Sequence, residues 1–161
     1  MSPNEIKVGM GEGAVTSTPR IISSTGIGSC VVVTLYDSSK QVGGLAHIML
    51  PDSDGINGRR PPFHCADTAI NTLLNRLQIK GVVRENLVAK MIGGARMFAD
   101  NNSSSQGIGQ QNTTSIRQIL GRERVQLVRE DTGGGYGRSV EFHLNSGKVT
   151  IRAVGREDRE L

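Results

Sequence analysis

"CVVVTLYDSSKQVGGLAHIML", residues 30 to 50, holds two strand-like runs joined by a short polar connection. The first run is dense in β-branched residues and the second in Val, Leu and Ile, which is the layout of a β-hairpin. With Ser38-Ser39 as the loop, Asp37 faces Lys40, opposed residues sum to 77, and Cys30 lies directly across from His47. A four-residue loop from Asp37 to Lys40 keeps that register. Opposed residues hold their Cβ atoms about 4.5–5.5 Å apart on one face, close enough for a thiol and an imidazole to share a proton. A connection longer or shorter by one residue would turn the two side chains to opposite faces.

Outward from the hairpin, further short runs read as strands: "EIKVGM", "RIIS", "NLVAKMIGG", "RVQLVRE", "SVEFHLN" and "KVTIRAV". Two stretches read as helices. In "CADTAINTLLNRLQIKG" the residues Ala66, Ala69, Ile70, Leu73, Leu74 and Leu77 recur at the spacing of one helical face, and Gly81 follows as a stop. In "GQQNTTSIRQILG" the face is Ile116, Ile119 and Leu120, ending at Gly121. "RMFADNNSSSQGIG" is polar and reads as a loop, "LNSGKVTI" as a hairpin turn at Asn145-Ser146-Gly147, and the charged tail 155–161 as frayed. The outline is α+β, mostly antiparallel strands with two helices on one side, in one domain over residues 1–161.

Composition narrows the partners. The 161 residues carry a net charge of +4, spread along the chain and not in a block. Three Phe, two Tyr and no Trp leave no aromatic platforms among the basic residues, which argues against a nucleic-acid binder. No apolar run approaches the ~18 residues of a membrane span, and the first residues lack the basic and apolar regions of a signal peptide. The expectation is a cytoplasmic protein whose two cysteines, Cys30 and Cys65, are thiols. The motifs also exclude other chemistries. "DTGGGYG" lacks the Lys-Ser/Thr of a phosphate loop, "GMGEGA" is not a dinucleotide fingerprint, and Cys30, His47, His64, Cys65 and His143 lack paired metal-ligand spacing, so neither metal nor cofactor is expected.

Residue types alone leave Cys30 open to two readings: a small core thiol beside a strand histidine, or a nucleophile beside its base. The preceding "GIGS", residues 26–29, favours the second. Gly26 and Gly28 permit a sharp turn that aims amide N–H groups, among them those of Gly28 and Ser29, at one point beside Cys30, where they can meet an oxyanion. A thiol needs a base to become a thiolate near neutral pH, and a third group should hold the imidazole in the productive tautomer. Ser23, Ser24 and Thr25 lie just upstream as hydroxyl partners. These residues point to a Cys/His acyl-transfer site and are silent on its substrate.

The stretches "GIGSCV" (26–31), "AHIMLPDS" (46–53), "ADTAI" (66–70), "IGGARMF" (92–98), "EDTGG" (130–134) and "RSVEF" (138–142), in that order, resemble the CheD family of chemoreceptor glutamine deamidases. The resemblance implies hydrolysis of selected glutamine side chains in methyl-accepting chemotaxis receptors to glutamate and ammonia. It implies Cys30 as nucleophile, His47 as general base and then acid, and no cofactor. The family's third member is a threonine six positions before the cysteine, where this chain has Ser24. Thr25 is the neighbouring alternative, disfavoured because adjacent residues of an extended strand face opposite ways. Cys65 stands where the family usually has an aromatic and reads as an incidental thiol. The resemblance also implies an α/β/β three-layer sandwich similar to the cytotoxic necrotizing factor deamidases, and a second partner of the CheC phosphatase family at the active-site face. Two rivals stand beside it: a non-catalytic adaptor that binds receptors or such a phosphatase, and a receptor glutamate methylesterase.

Overall fold

The computed structural model describes residues 4–54, 60–97 and 107–161. Among these, ten strands form two five-stranded sheets and two α-helices cover one of them. In chain order the elements are β1 (Glu5–Lys7), β2 (Gly13–Ser17), β3 (Ile21–Ile27), β4 (Val31–Asp37), β5 (Val42–Ile48), α1 (Ala66–Ile79), β6 (Leu87–Gly93), α2 (Ile108–Arg122), β7 (Gln126–Thr132), β8 (Arg138–His143), β9 (Val149–Arg152) and β10 (Arg159–Glu160). One sheet has the order β1-β3-β8-β9-β10 and the other β2-β5-β4-β6-β7. Only β1 with β3 and β6 with β7 run parallel, so the α+β outline of mostly antiparallel strands holds.

Strand alternation builds the layers. Along β4, Val31, Val33 and Leu35 enter a core shared with α1 and α2, including Ala69, Ile70, Leu73, Leu77, Ile116 and Leu120. Val32 and Tyr36 point the other way, into a second core with Leu45, Ile22, Ile27, Val140 and Phe142 between the two sheets. A strand buried on both faces reads as an unbroken apolar run, which is why "CVVVTLY" lacks polar alternation. The helix layer, middle sheet and outer sheet make an α/β/β sandwich. The face expected on α1 is the buried one, each large aliphatic side chain contributing about 1.5–3 kcal/mol against exposure.

The β4–β5 register differs from the expected one. Asp37 pairs with Val42 and Val32 with His47, so opposed residues sum to 79 and the loop is Ser38–Gln41. The buried Asp37 carboxylate sets that loop by accepting hydrogen bonds from Ser39 N–H at 2.9 Å, Ser39 Oγ at 2.6 Å and Lys40 N–H at 3.4 Å. Gln41 then takes φ 52°, extending the connection beyond a two-residue turn. Cys30 is therefore not directly opposite His47. The slip is two residues, so strand parity still gives both the same face as diagonal neighbours.

The remaining differences lie at the ends. β2 was not among the expected strands, and β3 runs on to Ile27 through a bulge between Ser24 and Ile27 where Gly26 has φ 67°. The tail does not fray throughout: β10 pairs with β9, and Leu161 and Val149 exchange N–H···O bonds of 2.9 Å. The expected loop "RMFADNNSSSQGIG" and Phe98 of "IGGARMF" fall largely outside the described residues, at 98–106.

Candidate active site

His47 and Ser24 come from different sheets and meet between them. β5 carries His47, fully buried, and β3 carries Ser24, 2% exposed just before its bulge. Ser24 Oγ lies 2.8 Å from His47 Nδ1 and 2.6 Å from the carbonyl of Val8. A hydroxyl has one proton and a carbonyl can only accept, so the Ser24 proton goes to Val8 O. The contact with the ring must then be Nδ1–H donating to Oγ. That assignment leaves the Nε2 lone pair as the free basic site, and Nε2 is buried with no hydrogen-bond partner among the described residues. Thr25, next along the strand, is exposed.

Cys30 precedes the first paired residue of β4 and is 7% exposed. Its turn is held from several sides. Ala95 N–H donates to Gly28 O at 2.9 Å, Gly94 N–H to Cys30 O at 2.9 Å, and Asn112 Nδ2 on α2 to Ser29 O at 3.0 Å. Gly93 has φ 118°, and a Cβ there would stand 2.5 Å from Cys30 O, so only glycine allows β6 to pass this close. The "DTGGG" stretch joins the same wall: Gly133 N–H donates to Gly93 O at 2.9 Å and Arg96 N–H to Gly134 O at 2.8 Å. The glycine motifs singled out in the sequence thus converge on the thiol's turn.

A cleft of about 580 Å³ opens beside Ser29, bordered by Ala95, Met97, Ile108, Thr113 and Gly133. Arg117 stands at its rim, hydrogen-bonded to Glu130, which also accepts from Thr132 Oγ1 at 2.7 Å. The cleft is apolar below and polar at the edge, and is large enough to take a side chain with part of its carrier segment.

The electrostatics are those of a neutral resting pair. Burial pushes the Cys30 thiol above its ordinary value of 9.0, partly offset by its own backbone N–H, while burial pulls His47 below 6.5. Both shifts favour thiol plus neutral imidazole over thiolate plus imidazolium. Nothing charged holds the imidazole; its orienter is a neutral hydroxyl.

Neither cysteine is in a disulfide, and Cys65 is buried just before α1, where its residue bridges Leu50. Among the described residues, no three His, Cys, Asp or Glu side chains group as a metal-ligand set. Two elements of the site were not read from the sequence. The Val8 carbonyl is a backbone group and leaves no signature. Asn112 does leave one: it lies four residues before Ile116 on the apolar stripe of α2, a polar residue in line with core positions.

The fold is an α/β/β sandwich in which His47 and Ser24 meet between the sheets and the turn that carries Cys30 borders a glycine-walled cleft through Ser29. Residues 49–153 match the family described as CheD chemotactic sensory transduction. The chain is 47% identical over 158 residues to the probable chemoreceptor glutamine deamidase CheD of Moorella thermoacetica, covering 97% of this chain and 95% of that one. It is 41% identical to the Clostridium novyi protein of the same description over the whole of both chains. It is also 41% identical to the chemoreceptor glutamine deamidase CheD of Halalkalibacterium halodurans, over 97% of this chain and 98% of that one. The chain belongs to the CheD family. No helix among the described residues is long and apolar enough to cross a membrane.

Proposed function

We propose that this protein hydrolyses glutamine side-chain amides of methyl-accepting chemotaxis receptors in the cytoplasm, through a thioester on Cys30. The observation that carries the reading is the one-way chain His47 Nδ1–H to Ser24 Oγ–H to Val8 O, which leaves Nε2 as an unpartnered base between the two sheets. Membership of a family whose relatives are described as receptor glutamine deamidases supplies the substrate class.

In this reaction His47 Nε2, which shares no hydrogen bond with Cys30 Sγ in the structure, closes on the thiol once substrate is seated and takes its proton as the thiolate adds to the carboxamide carbon. N–H groups of the Gly28-Ser29-Cys30 turn receive the developing oxyanion. His47 returns the proton to the leaving nitrogen and ammonia departs. A water deprotonated by His47 then opens the thioester, leaving glutamate and a free thiol. A CheC-type phosphatase is the second partner of this reading and would compete with receptor at the same face.

Incubating the protein with a receptor cytoplasmic fragment should convert selected glutamines, each gaining ~1 Da by mass spectrometry, with one ammonia per site, as hydrolysis to glutamate requires. Methanol release from a methylated fragment, without ammonia, would replace this reading with methylester hydrolysis. Ser24→Ala should lower kcat by about 10–100-fold, on the scale set by the loss of hydrogen-bond partners that orient metal-bound histidines. Thr25→Ala should leave kcat near its starting value. The reverse order of those two effects would remove Ser24 from the scheme.

A further inference from the structure

We propose that Asn112 is a positioning residue that fixes the plane of the Ser29–Cys30 peptide and locks the thiol's turn to the segment that leaves the strand of His47. The inference rests on the proposed reaction for its kinetic consequence, and on geometry alone for the clamp itself. Asn112 is fully buried on α2, and its Nδ2 group spends both hydrogens on backbone carbonyls, Ser29 O at 3.0 Å and Met49 O at 3.1 Å. Ser29 immediately precedes the thiol residue, and Met49 lies two residues beyond His47.

The Ser29 carbonyl shares a rigid plane with the Cys30 N–H. In a trans peptide the two point in opposite directions, so fixing one fixes the other. The bond that draws Ser29 O toward α2 therefore turns Cys30 N–H away from the helix. That N–H already favours the thiolate of its own residue. The flanking carbonyls, Gly28 O and Cys30 O, are held by Ala95 and Gly94, so three successive carbonyls of the turn are each held by an outside donor. Of those three donors, Asn112 also reaches Met49, the residue that follows the strand of the base.

A neighbour on the same helix separates positioning from simple bracing. Ser115 Oγ donates to Pro51 O at 2.5 Å, so it also ties α2 to the segment after β5 but does not touch the thiol's turn. A purely structural role predicts that loss of either residue weakens folding and nothing else.

The test compares Asn112→Ser, Asn112→Asp and Ser115→Ala in the full chain. Its readouts are thermal melting, ammonia release from a receptor fragment, and the pH midpoint of Cys30 alkylation by iodoacetamide. Asn112→Ser should lower kcat by roughly 10²-fold with KM within about 2-fold, the cost of displacing a reacting geometry without removing binding contacts. The alkylation midpoint should rise, because the Cys30 N–H is no longer held near its sulfur. Ser115→Ala should melt lower and keep both kcat and midpoint. If Asn112→Ser fails to fold, Asn112→Asp serves: its carboxylate opposes two carbonyls, and only its protonated form regains a donor, so its kcat loss should shrink as pH falls. Wild-type kcat and midpoint in a folded Asn112 variant, or equal shifts from Ser115→Ala, would overturn the clamp. A wild-type protein that releases no ammonia, alongside an Asn112 variant with a raised midpoint, would sink the proposed reaction and leave the clamp standing.

Discussion

Cys30→Ala should release no measurable ammonia from a receptor fragment, a loss of ~10⁴-fold or more, because a two-step route through a thioester has no substitute for its nucleophile. The fold should survive. Cys30 belongs to neither hydrophobic core, and the hydrogen bonds of its turn are all made by backbone atoms of residue 30 and its neighbours. Cys30→Ser is the sharper variant, since it keeps a nucleophilic atom in place but one that His47 cannot deprotonate as readily. It too should be inactive within detection. Cys65→Ala is the contrast: the residue is buried just before α1 and bridged to Leu50 through its backbone, and the variant should keep full activity. A Cys30→Ala protein that still converts glutamine would leave the family membership intact and remove the thioester.

His47→Gln should lower kcat by about 10²–10⁴-fold, the usual contribution of a general base, and should also abolish the acid limb of the pH–rate profile. In the parent protein that limb has a definite direction. The base must be neutral, and burial pulls the His47 pKa below 6.5, so activity should persist into mildly acidic solution and fall only as pH drops through the lowered value. Stability follows the same linkage. Below 6.5 the unfolded chain takes up a proton that the folded His47 refuses, so stability at His47 is full above that pH and is lost as pH falls toward the folded value. At the alkaline end Cys30 acts in the opposite sense. Its thiol is raised above 9.0, so its contribution is full below that pH and is lost as pH rises through the folded value. Rates and urea midpoints between about pH 5 and 10 test both limbs. An acid limb that persists in His47→Gln would assign it to another group.

The hairpin shows how far a sequence can be read and where it stops. The even offset between Cys30 and His47 was legible from the expected loop, because a slip of two residues keeps the parity of the register. Its size was not, because it depends on loop length, and loop length was decided by Asp37. An aspartate with a serine two residues on is a legible turn signal. The positive φ of Gln41 is not, since nothing in a glutamine announces it. Helix α1 was legible because its apolar residues repeat from Ala66 to Leu77, over three turns, and α2 from the shorter face Ile116, Ile119 and Leu120 closed by Gly121, whereas β2 has only five residues of its own. The glycine stretches were legible as turns, but their convergence on one turn arises from strand order, with β6 beside β4 and β7 beside β6. Ser24 could be placed opposite a partner only once the two sheets were stacked.

In the proposed mechanism the Val8 carbonyl gives the segment after β1 a part in proton traffic that its distance in sequence from Cys30 conceals. β1 lies parallel to β3 at the sheet margin, and Val8 N–H is tied back to Ser23 O at 2.8 Å, so this segment is both a sheet border and the far terminus of the imidazole's wiring. A protease that nicked the chain just behind Val8, or an added segment that levered β1 away, would free the serine proton to swing toward the ring. The histidine would then present its other tautomer, and the enzyme would be silenced with every reactive side chain still in place.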